Sequence, residues 1–141
     1  QLNEWGAAQI PFFFMIDFEM KSPVVWRLDE IDSNQIKISF PKYTNHELLP
    51  VSNKPLLLRS YPLSLDDYSV KFDKVSKHLA YGDSFLTNLT IKTPIKVNYS
   101  LTELYAKAMA PYKLLYKDNF LVYSPESFVK IAGGKIYTYP M

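Results

Sequence analysis

The chain has 141 residues, 48% of them apolar and 16% aromatic, and sets 16 Lys and Arg against 14 Asp and Glu for a formal net charge of +2. These values exclude a disordered tail and lack the basic excess that nucleic-acid binding requires. They fit one domain's worth of chain, or part of a larger domain. The absence of cysteine excludes disulfides and thiolate sites and fits a reducing cytoplasm. The apolar run at 10–16 ends at Asp17, short of the ~20 residues a membrane helix needs, so no membrane span is expected.

Residues 2–9 read as a short helix anchored by Trp5. Pro11 then forces extended backbone. From there Phe12, Phe14, Ile16 and Phe18 alternate with Phe13, Met15, Asp17 and Glu19. That pattern predicts a strand buried on both sides at its start, with an acidic end at solvent or a cleft. Phe12, Phe13 and Phe14 are expected in the core. Lys21-Ser22-Pro23 is a turn, and residues 24–28 return as the partner strand of a hairpin. Ile36, Ile38 and Phe40 alternate with polar residues as a third strand. The proline-punctuated stretch 41–62 is expected to be loop, with at most one short strand near Leu56-Leu57-Leu58.

Leu65, Tyr68, Phe72, Val75 and Leu79 form one apolar helical stripe. Ser64 is placed as its N-cap, Asp66 and Asp67 favour the dipole, His78 sits in the last turn and Gly82 ends it. A strand is predicted at 85–90, and the capping-box pattern from Ser100 to Glu103 opens a second helix. Two hairpins close the chain, turning at Asp118-Asn119 and at Gly133-Gly134. Hairpins outnumber crossovers, so the fold class is α+β: a mainly antiparallel sheet with packed helices.

The residues alone show no Gly-rich phosphate loop, no His pair at ligand spacing and no Gly-x-Ser-x-Gly. His46 and His78 are isolated in sequence, and the scattered carboxylates do not suggest a metal site built from this chain.

Patches along most of the chain nevertheless resemble the chorismate-utilising enzymes. Gly82-Asp83-Ser84-Phe85 running into Thr87-Asn88-Leu89-Thr90 resembles the family's Gly-Asp-x-(Phe/Tyr)-Gln-x-Asn-Leu segment, with Leu86 where Gln is usual. Ala110-Pro111-Tyr112 resembles the Asn-Pro-x-Pro-Tyr segment, with Ala108 and Met109 in place of Asn-Pro. In tryptophan-binding members that segment lines an amino-acid pocket, which makes Pro111 and Tyr112 candidate pocket residues. Ser124-Pro125-Glu126-Ser127-Phe128, Gly133-Gly134-Lys135-Ile136 and Thr138-Tyr139-Pro140-Met141 match a Ser-Pro-Glu turn, a hairpin and a Thr-x-Pro-Ile segment in type, order and spacing. The short lead before Pro11 favours the branch that makes 4-amino-4-deoxychorismate. The sister branches make anthranilate, isochorismate or salicylate.

The resemblance implies that the chain is the amino-terminal portion of such an enzyme. In that branch a Lys-Gly-Thr segment, whose lysine is the nucleophile, would follow Met141. It implies that Glu126 is the acid/base group that protonates the departing C4 hydroxyl of chorismate, since hydroxide is a poor leaving group. On the residues alone, Glu126 reads first as the start of a turn after Pro125, ahead of any catalytic role. The resemblance also implies Mg²⁺ held by glutamates outside these 141 residues, and ammonia from a glutamine amidotransferase subunit. The 141-residue chain by itself is then expected to be inactive, with an unpaired edge strand near 136–139 that invites self-association. The alternative of another class is a non-catalytic α+β ligand-binding or structural domain.

Overall fold

A computed structural model describes residues 1–124, 127 and 129–139. The chain is α+β, with antiparallel pairing throughout the described strands. It divides into two compact units: Gln1–Ser52 with Leu101–Met141, and Asn53–Ser100.

The first unit opens with α1 (Leu2–Ala7), whose Trp5 packs on Phe12 with ring centroids 5.9 Å apart. A hairpin of β1 (Phe12–Met15) and β2 (Val24–Arg27) follows, in the register Phe13↔Trp26. β1 is shorter than the alternation predicts. Asp17 turns the chain instead: its carboxylate accepts from Lys21 N at 3.1 Å and from Ser22 N at 2.8 Å, and Met20 takes a positive φ of 54°. Those amides, Ser22 first, hold the Asp17 carboxyl below its ordinary range. Phe18 is left wholly exposed, and Phe14 is half-exposed. The acidic end of the predicted strand is therefore a solvated turn.

The centre of this unit is a four-stranded sheet in the order β4-β3-β7-β8, built from β3 (Ile36–Phe40), β4 (Tyr43–Thr44), β7 (Tyr112–Tyr116) and β8 (Phe120–Ser124). Alternation gives it two faces. On one, Ile36, Ile38 and Leu114 form the buried cluster, with Phe13, Met15 and Trp26 packed on it. On the other, α3 (Leu101–Lys107) places Tyr105, fully buried, over the sheet beside the buried Leu115. The β7–β8 loop turns through Lys117 and Asp118, both at positive φ, one residue earlier than the Asp118-Asn119 expected.

β9 (Val129–Ala132) and β10 (Lys135–Thr138) form a separate hairpin. Gly133 and Gly134 both take positive φ, 57° and 69°, the geometry a two-residue turn demands. Every residue of both strands is exposed, and among the described residues β10 pairs with β9 alone.

The second unit holds α2 (Leu65–Tyr81) and a two-stranded pair of β5 (Leu58–Ser60) and β6 (Ile95–Val97). Stretch 41–62 thus supplies two short strands, β4 and β5. The strand expected at 85–90 does not form. No neighbouring backbone offers that stretch a ladder among the described residues, Phe85 is wholly exposed, and β5 pairs further along, with Lys96 opposite Arg59. α2 begins and ends as its sequence directs. Ser64 Oγ accepts from Asp67 N at 3.1 Å, and with Gly82 at φ 95° the Gly82 N–H donates to the Leu79 carbonyl and the Asp83 N–H to the His78 carbonyl. Ser64→Ala is expected to cost about 1 kcal/mol of α2 stability, measured as faster amide exchange in the first turn of α2. Unchanged exchange there would show that the cap contributes nothing.

Candidate functional site

The sheet brings together two of the segments singled out above. β7 and β8 are in a register that sets Tyr112 opposite Ser124, so the candidate amino-acid pocket residue and the first residue of the Ser-Pro-Glu stretch are neighbours across the ladder. Both line a cavity of about 360 Å³ on the core face of the sheet. Its walls are Phe13, Phe14 and Met15 of β1, Phe40 of β3, Leu114 of β7, and Phe120 and Val122 of β8. Tyr112 packs edge-on against Phe40, with centroids 5.5 Å apart and planes at 60°. Ser124 and Ser127 supply the polar side chains of the lining, because Lys113 turns its side chain to the α3 face, where Nζ meets the Tyr105 and Ala108 carbonyls. Such a wall offers a flat apolar group a surface to lie on, with Phe14 and Val122 about half-exposed at its rim. A carboxyl group at its edge loses solvation, which favours the protonated form.

Pro111 is exposed ahead of β7 and is not part of this lining. Glu126, the candidate acid, lies outside the described residues, although Ser124 and Ser127 on either side of it in the chain both line the cavity. Among the described residues no three His, Asp or Glu side chains gather where they could hold a metal ion, so they do not fit a Mg²⁺ site. No helix among the described residues is long and apolar enough to cross a membrane.

Sequence spacing missed a second polar cluster. His46 and Tyr105 are far apart in the chain, yet Nε2 of His46 lies 2.7 Å from the Tyr105 hydroxyl. Burial pushes the Tyr105 phenol up to about 12, although its hydrogen bond with Ser39 pulls the other way, so the hydroxyl stays protonated at neutral pH. Tyr105 belongs to the helix that the capping box at Ser100 to Glu103 opens, and nothing in the sequence links it to His46. His78 does not simply face the helix dipole; its Nδ1 lies 2.5 Å from Asp83 Oδ2.

The family model described as chorismate binding enzyme matches residues 18–141. An uncharacterized PabA-like protein of Pasteurella multocida is 39% identical over 142 aligned residues, which cover all of this chain and 44% of that protein. An uncharacterized PabA-like protein of Haemophilus influenzae is 37% identical over 141, covering all of this chain and 43% of that protein. The chain thus spans less than half the length of these relatives. No solved structure matches it.

Proposed function

The chain belongs to the family of chorismate binding enzymes, and from that premise we propose that it serves as the amino-terminal part of a cytoplasmic enzyme converting chorismate and ammonia to 4-amino-4-deoxychorismate. That product feeds 4-aminobenzoate and folate synthesis. The observation that carries the reading is the convergence of Tyr112, Ser124 and Ser127 on one apolar cavity. Glu126 follows Ser124 by two residues and precedes Ser127 by one. A glutamate beside such a wall can hold its proton near neutral pH and deliver it to the departing C4 hydroxyl.

Chorismate carries two carboxylates, and this lining offers them two serines and no cation. Recognition of the whole substrate therefore needs further donors. We assign these, the Mg²⁺ ligands and the nucleophilic lysine to the portion of the relatives that this chain does not span. Ammonia would come from a glutamine amidotransferase subunit.

The test is the loss of chorismate by the full-length protein, with and without added ammonia. Consumption that requires ammonia supports amination. Equal consumption without ammonia moves the protein to the isochorismate or salicylate branch. No consumption leaves a non-catalytic domain.

A further inference from the structure

A second cavity, of about 240 Å³, lies on the α3 side of the sheet. Three neighbouring strands place polar side chains there in one row: Ser39 faces Thr44 across β4 and Lys113 across β7. By alternation this row points away from the Ile36, Ile38 and Leu114 cluster.

The outer wall is the loop 45–52, which is tied at both ends. At its start the Asn45 side chain takes a place in the ladder of β3, with Ile38 N donating to Oδ1 at 2.8 Å and Nδ2 donating to the Ile36 carbonyl at 2.8 Å. At its end Lys107 Nζ donates to the Ser52 carbonyl at 3.3 Å. Between these ties the loop presents Leu49 and Val51 to the space.

The floor is polar and ordered. His46 Nδ1 lies 2.7 Å from the Glu47 carbonyl. A carbonyl only accepts, so Nδ1 carries the proton of the neutral ring and Nε2 accepts from the Tyr105 hydroxyl. Lys113 Nζ lies 4.8 Å from the centre of the Tyr105 ring and donates to the Tyr105 carbonyl at 3.2 Å and the Ala108 carbonyl at 3.1 Å. Among the described residues these two carbonyls take two of its three donors, which leaves one for the cavity.

We propose that this cavity binds a small organic carboxylate, whose oxygens take the remaining Lys113 N–H and the Thr44 hydroxyl while its hydrocarbon lies against Leu49 and Val51. One cation with hydroxyl neighbours suits a single carboxylate better than a phosphate, whose greater charge and additional oxygens call for more donors. Glu47 is the acidic residue of the lining; it is exposed, so water screens its charge. The volume falls below the usual range of roughly 300–1,000 Å³ for ligand pockets, which limits the guest to a single ring or less.

The experiment titrates the intact protein with benzoate, and with benzamide as its uncharged counterpart, following the backbone amide signals of Ser39, Thr44 and Lys113. Benzoate is expected to move these signals saturably and to bind at least ~10-fold more tightly than benzamide. Lys113→Met should weaken benzoate by ~10-fold or more. Because Lys113 also braces α3, two further variants leave that brace intact. Thr44→Val should weaken binding by about 3- to 10-fold, and Leu49→Trp, which fills the space, should abolish it. Equal affinity for benzamide, no saturable shift with benzoate, or undiminished binding by Leu49→Trp would overturn the proposal. None of these readouts depends on chorismate chemistry, so the assignment of the reaction can fail without this one failing.

Discussion

Glu126→Gln in the full-length protein is expected to lower kcat for chorismate consumption by roughly 100-fold or more. Glutamine keeps the shape and the hydrogen-bonding capacity of the side chain but cannot deliver a proton to the C4 hydroxyl. The wild-type profile should fall as pH rises through the pKa of Glu126, because an acid catalyst must be protonated, and this limb should vanish in the variant. The rival reading is that Glu126 only starts the turn after Pro125. Glutamine would fill that structural role, so turnover within about 3-fold of wild type, with the alkaline limb retained, would decide for the turn. A change in KM with kcat preserved would also count against the acid role, since it would mean binding was lost rather than transition-state stabilisation.

The second large effect is on stability. Ile38 is fully buried between the β1–β2 hairpin and the sheet, opposite Leu114. Ile38→Ala removes methylene groups from a packed core and leaves a cavity, with an expected cost of about 2–5 kcal/mol. Ile136→Ala is the control: Ile136 is 69% exposed on the separate β9–β10 hairpin, and a change within about 0.5 kcal/mol is expected there. Both tryptophans, Trp5 and Trp26, belong to the first unit, so their fluorescence in a urea titration reports the unit that holds Ile38. Equal losses at the two positions would show that the four-stranded sheet is not the centre of the core.

Much of the fold was legible because the signals were local. Ser64, Gly82 and the Gly133-Gly134 pair each act through backbone groups a few residues away, and each lies where its chemistry predicts. Failures came where a partner had to be found. The alternation from Phe12 to Glu19 cannot show that Asp17 will capture the Lys21 and Ser22 amides and end the strand at Met15. A strand is expected at 85–90, yet β5 pairs with β6 instead. The site divides in the same way. Tyr112 was indicated by its motif, but Phe40 enters the cavity wall through the pairing of β3 with the distant β7, and Phe13 and Met15 through the packing of the β1–β2 hairpin on the sheet. The meeting of His46 with Tyr105 likewise joins the loop after β4 to a helix packed on the sheet, with no trace in spacing.

The most direct measurement of the central claim is the position of nitrogen in the product. The full-length protein is given chorismate and ¹⁵N-ammonium, and the product is read by ¹⁵N-coupled NMR. The account predicts ¹⁵N on the ring carbon that carried the hydroxyl, C4. Nitrogen at C2 would make the product anthranilate-like and contradict the assigned branch, and no incorporation would contradict amination altogether.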